Sequence, residues 1–166
     1  DAHIVMAVAA AHRVLEKHRP LVGENGTSCG LVFASAFGPM ETNFEVLDQV
    51  VYGQPTSPTL FSHSVFNGAA GYIASALGIR GSSLSVTDFN LPFFRSLDLS
   101  RLLLSGPELD VCLVVQVETY SRLLEDAVNT YAPDGGPWRQ GAACWLLKKD
   151  VETGSNVPVI ELLEMS

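Results

Sequence analysis

Residues Asp110–Val117 read DVCLVVQV, a run in which only Asp110 and Gln116 are polar. So short and continuous an apolar run is a strand covered on both faces, the kind a parallel sheet produces. Upstream, Cys29–Ser35 (CGLVFAS) has the same character. Ser83–Thr87 (SLSVT) is expected to be a third buried strand, and Ala142–Leu147 (AACWLL) and Val157–Leu162 (VPVIEL) a closing pair joined by a Gly/Ser/Asn turn. Helical spacing fills the intervals. In His3–His18, Ile4, Val8, Ala11 and Leu15 share one face, with Arg13, Glu16 and Lys17 opposite. Thr42–Val51 is expected to bury Phe44, Leu47 and Val51. The stretch QPTSPTL (Gln54–Leu60) reads as a loop. Ser64–Leu77 reads as one small-residue helix, whose interior glycines each cost roughly 1 kcal/mol and so call for a close contact. Leu91–Ser105 presents Phe94, Leu97, Leu102 and Leu104, and Tyr120–Asn129 is a last helix before a polar loop, Tyr131–Gly141. Strands alternating with helices, then two consecutive strands, predict an α/β domain. Its five-stranded mixed sheet is parallel in the centre, antiparallel at one edge and covered by helices on both faces.

A chain of 166 residues, 47% hydrophobic and 17% charged, fits one domain spanning residues 1–166. It can bury enough surface to fold without a metal or disulfide staple. Ten Lys and Arg against 18 Asp and Glu give a net charge of -8, which argues against a nucleic-acid partner, since duplex binding needs clustered cations. Cys29, Cys112 and Cys144 are odd in number, far apart and each inside an apolar run, so they read as core residues of a reducing compartment. No C-x-x-C or His-rich spacing suggests a metal, and neither G-x-G-x-x-G nor a Walker sequence suggests a nucleotide, so no cofactor is expected. The apolar stretch Ile4–Ala11 is too short for a membrane span and lacks the basic lead of a signal peptide. The expectation is a cytoplasmic protein whose numbering, starting at Asp1, begins inside a longer chain.

The stretch Ser57–Gly81, SPTLFSHSVFNGAAGYIASALGIRG, resembles the N-terminal, thiolase-fold half of the β-ketoacyl synthases of fatty-acid and polyketide synthesis. The family pattern is a proline, an aromatic, a loop to an Asn, a small-residue helix and then L-G-L/I-R-G-P-S. Pro58, Phe61, Asn67, Gly71, Leu77, Gly78, Arg80 and Gly81 supply all of it but the second proline. Gly30–Ser35 is similar to the family's second strand, Val111–Glu118 to its fourth, and Gly141–Lys149 (GAACWLLKK) to its fifth. In all, the resemblance runs from about Ile4 to Glu164.

Two departures bear on activity. The family's nucleophilic cysteine follows the strand at Ser83–Thr87, at the start of a buried helix. Counting forward from Gly81 lands on Asn90, and counting back from Gly106 lands on Phe89. Neither can form the thiolate that attacks a thioester. The histidines that the family carries in H-G-T-G-T and N-I-G-H patterns also have no counterpart, since His3, His12, His18 and His63 all lie upstream. The resemblance therefore implies a non-catalytic accessory or partner subunit in fatty-acid or polyketide-type biosynthesis, aryl-polyene synthesis for example. The alternative is an acyl-transfer or condensing enzyme whose active site a second chain completes.

Individual residues carry competing readings. Ser62-His63-Ser64 suggests a nucleophile and base, against a cap before a helix; no G-x-S-x-G elbow supports a hydrolase. Asn67 and Phe61, with Phe93 and Phe94, are candidate pocket residues. Asn90 can offer a hydrogen bond to an acyl carbonyl, whereas Phe89, Phe93 and Phe94 can plug a dead pocket. Asp88 and Glu118 read as paired carboxylates or, better, as turn and cap residues at strand ends. The basic cluster His12, Arg13, Lys17, His18 and Arg19 reads as a solvated face or as a dock for an acidic partner. By resemblance, Ser83–Thr87 pairs with a two-fold mate, giving a homodimer or a heterodimer with a ketosynthase. An acyl carrier protein is a further candidate partner, disfavoured because carriers are acidic like this chain. A plain structural homodimer with no ligand is the remaining alternative.

Overall fold

The computed structural model describes residues 1–22, 26–131 and 139–149. Helix α1 spans Ala2–His18 and runs into a 3-10 turn, Arg19–Val22. Then follow β1 (Cys29–Ser35), α2 (Met40–Val51), α3 (Pro58–Ser64), α4 (Gly68–Leu77), β2 (Ser83–Thr87), α5 (Pro92–Ser105), β3 (Val111–Glu118), α6 (Arg122–Tyr131) and β4 (Gly141–Lys148). The described sheet has four strands in the order β2-β1-β3-β4. Strand β1 pairs in parallel with both β2 and β3, and β4 closes the sheet antiparallel to β3. Four strands thus replace the expected five: the anticipated strand Val157–Leu162 lies outside the described residues, as do 132–138 of the polar loop.

Alternation along β1 and β3 divides the interior into two layers. Leu31, Phe33, Val111, Leu113, Val115 and Val117 face Ile4, Ala7, Ala11 and Leu15 of α1 and Ala69, Ala70, Ile73 and Leu77 of α4. Each large side chain buried there contributes about 2 kcal/mol. Alanines at 7, 11, 69 and 70 leave no bulk between the two helices, so they pack directly on each other as well as on the sheet. On the opposite face Val32, Ala34, Cys112 and Val114 are fully buried beneath α5.

That α5 layer corrects a sequence expectation. Its buried face is Pro92, Ser96 and Ser100, while Phe94 and Leu102 of the expected apolar stripe are largely exposed. Size and hydrogen bonding decide the matter. Ser96 Oγ donates to the Phe93 carbonyl at 2.6 Å and Ser100 Oγ to the Ser96 carbonyl at 2.7 Å, so both hydroxyls are satisfied inside the helix. Being small, they let the helix approach the strands closely. Ser96→Leu is expected to cost about 1–3 kcal/mol by overpacking, and Ser96→Ala less than about 1 kcal/mol, in urea-unfolding midpoints.

Three further expectations change. Strand β2 is an edge strand, exposed except at half-buried Val86, rather than a buried one, and only β1 flanks it among the described residues. Helix α2 buries Val46, leaving Phe44, Leu47 and Val51 exposed. The helix expected from Ser64 to Leu77 is two helices. Ser57 caps α3 through its Oγ, which accepts the Leu60 N–H at 3.3 Å, and Val65, extended at ψ 141°, breaks the chain before α4. Gly71, in the middle of α4, has open space where a Cβ would sit, so no close contact repays it.

Candidate functional site

In a parallel α/β sheet, ligand sites form beyond the carboxyl ends of the strands. Here those ends are Ser35 of β1, Thr87 of β2 and Glu118 of β3, brought side by side by the pairing of β1 with both neighbours. Glu118 is the organising group. Its carboxylate accepts the Ser35 hydroxyl at 3.1 Å, the Ala36 N–H, and the Phe37 N–H at 3.4 Å. Ser35 Oγ in turn accepts the Gly38 N–H at 2.7 Å. Burial pushes the Glu118 carboxyl above the usual carboxylate range, partly opposed by the donors that hold it. The loop so fixed turns at Gly38, whose φ of +66° sets it against the Phe66 ring. Phe37 then meets Phe89 with ring centres 5.5 Å apart.

After β2 the chain makes a tight Asx turn. Asp88 Oδ1 accepts the N–H of Asn90 at 2.9 Å and of Leu91 at 3.4 Å, and Oδ2 accepts Arg95 Nε at 3.2 Å. These donors, the two backbone N–H groups first, hold the Asp88 carboxyl below its ordinary value. Helix α5 begins directly afterwards at Pro92. Asp88 and Glu118 therefore have separate partners, one capping a turn and the other clamping a loop, in line with the turn-and-cap reading.

Asn90 sits just before the α5 N-terminus and is exposed. Phe89 beside it is 70% exposed and Phe94 59% exposed, so they do not form the closed plug that the sequence suggested. Phe93 instead stacks on Trp145 of β4, ring centres 4.4 Å apart. Phe61 and Asn67 lie in the α3–α4 segment; α4 packs on the sheet face opposite to the one that α5 covers. Phe61 is 57% exposed, and Asn67 occupies the N-cap of α4 without a side-chain cap bond. His63 does not precede a helix as a cap. It lies in the last turn of α3, and its Nε2 meets the Tyr72 hydroxyl at 2.9 Å, pinning the α3–α4 corner. In the basic cluster, Arg19 Nη1 donates to the Leu77 carbonyl at 2.8 Å and His12 pairs with Glu16 at 4.0 Å.

Thiol chemistry is remote from this edge. Burial pushes Cys29 up to about 11 and raises Cys112 and Cys144 as well, so none offers a thiolate at neutral pH. Among the described residues no group of His, Cys, Asp and Glu is arranged to hold a metal ion, and no helix is long and apolar enough to cross a membrane. The Glu118 clamp and the Phe93–Trp145 stack were not evident in the sequence. The available signal for Glu118 was a carboxylate ending an otherwise apolar strand.

Comparison with known families decides the identity. The β-ketoacyl synthase N-terminal domain model matches residues 5–90, more than half of the chain. The chain belongs to the β-ketoacyl synthase family. No curated protein matches it. Solved ketosynthase structures share its fold. The complex of the ketosynthase ApeO with its chain length factor ApeC, from Xenorhabdus doucetiae, matches with a TM-score of 0.71 at 21% identity, over 94% of this chain and 65% of that one. A β-ketoacyl synthase from Burkholderia phymatum STM815 gives 0.76 at 14% identity, over 90% and 42%. The ishigamide ketosynthase/chain length factor gives 0.76 at 19% identity, over 95% and 46%. This ketosynthase-family chain thus spans less than two thirds of each of these three structures.

Proposed function

We propose that this chain is a non-catalytic ketosynthase-like partner subunit of a cytoplasmic fatty-acid or polyketide-type pathway, acting by pairing with a ketosynthase or with a second copy of itself. The observation that carries the reading is the segment after β2. Where the family resemblance puts a nucleophilic thiol, the chain has Phe89 and Asn90, and all three of its cysteines lie in other strands. A phenyl ring and an amide cannot form the acyl thioester on which condensation depends. The pairing half of the proposal is supported by β2, an edge strand whose Leu84 is 38% exposed, since such an edge is a hazard unless something pairs with it. Two of the matched structures contain a ketosynthase together with a chain length factor, which makes a paired arrangement the natural expectation.

Intact-protein mass spectrometry tests the non-catalytic half. After incubation with an acyl thioester or a cysteine-directed ketosynthase inhibitor, the peptide Asp88–Arg95 should show no added mass. An adduct on that peptide would overturn the reading in favour of an acyl-transfer enzyme.

A further inference from the structure

Helices α2 and α6 border an open groove of about 640 Å³ that the ketosynthase reading leaves without a role. It is held in register by one bond, the Arg122 N–H donating to Glu41 Oε1 at 2.7 Å. Its walls are apolar at Phe44 and Leu123, which are 39% and 45% exposed. Its rim is acidic: Glu41, Glu45, Asp48 and Asp126 against the single cation Arg122, four negative charges less one positive, or a local charge of -3. Both ion pairs formed among the described residues lie elsewhere, so within them Glu45, Asp48 and Asp126 are not neutralised by a cation.

We propose that this groove docks a basic amphipathic helix of a partner protein. Phe44 and Leu123 receive the apolar side of that helix, and Glu45, Asp48 and Asp126 receive its lysines or arginines. Charge complementarity selects this occupant. An acidic carrier protein would be repelled from the same surface. A second copy is disfavoured, because this chain's own basic stretch lies on α1, and α1 of one copy in the groove of the next makes a head-to-tail contact that need not close.

The probe is a synthetic Lys/Leu amphipathic helix of about five turns, with a Glu/Leu counterpart as control, read by fluorescence anisotropy. The Lys/Leu peptide should bind, the Glu/Leu peptide should not, and raising salt from about 0.05 M to about 0.3 M should weaken binding several-fold. The double variant Glu45→Lys/Asp126→Lys should weaken it about tenfold or more, and Phe44→Ala about threefold, whereas Asp98→Lys/Glu108→Lys, with the same change in net charge outside the groove, should leave it within about twofold. Absence of binding, or equal weakening by both double variants, overturns the proposal. So does growth of the protein into larger assemblies without peptide that the groove variants abolish, which would make the occupant a second copy.

Discussion

Gly26→Ala lowers the melting temperature by about 10 °C or more, the expected outcome of a loss of about 4 kcal/mol in a chain of this size. Two costs add. Gly26 has φ +65°, where a side chain is strained by about 1–2 kcal/mol. A Cβ there would also collide with the backbone carbonyl of Gly78, which is itself left-handed at φ +71° as it ends α4. Neither backbone moves easily, because the Gly26 carbonyl accepts the Arg80 N–H at 2.8 Å and the Cys29 carbonyl accepts the Gly81 N–H at 3.1 Å. Gly53→Ala separates the two costs. Gly53 has φ +63° and nothing within reach of an added Cβ, so only the first cost remains and the melting temperature should fall by no more than about 5 °C. Equal losses for both variants would show that the close approach at Gly78 contributes nothing.

Acid should destabilise the protein through His3. The ring is 2% exposed and edge-on to Phe33; its Nδ1 meets Thr119 Oγ1 at 3.2 Å and its Nε2 is buried without a partner. Burial pulls its pKa from 6.5 down to about 4. Between those values the unfolded chain binds a proton that the folded chain does not. This contribution is therefore complete above pH 6.5 and is lost as the pH falls toward 4, the loss reaching about 3 kcal/mol at the bottom of the window. His3→Phe removes the titration, although it shifts the baseline. Between neutral pH and pH 4 the urea midpoint should fall further for wild type than for His3→Phe, by the equivalent of about 3 kcal/mol. Parallel acid losses in the two proteins would assign the effect to other groups.

The topology was legible because the doubly apolar runs at Cys29–Ser35 and Asp110–Val117 have one physical solution, central parallel strands under two helical layers. Legibility stopped where chemistry other than hydropathy decided the packing. Ser96 and Ser100 enter the core because their hydroxyls bond within α5, and a hydropathy stripe points to Phe94 and Leu102 instead. Strand β2 was misjudged for a different reason. Alternation shows that a segment is a strand but not how many neighbours it has, and among the described residues β2 has one. At the candidate site, the capping role of Asp88 was readable from its place after a strand and just ahead of a helix. The Glu118 clamp on Ser35–Phe37 joins residues 81 to 83 positions apart, a separation that no local pattern reports.

Association through β2 is the central claim, and light scattering on the purified protein at micromolar concentration, alone and mixed with a full-length ketosynthase, tests it most directly. The account predicts a two-chain species in one of those samples that buries more than about 1,000 Å² and is dissociated by Val86→Lys, which places a charge on the edge strand. A stable monomer in both samples, unchanged by Val86→Lys, would contradict it.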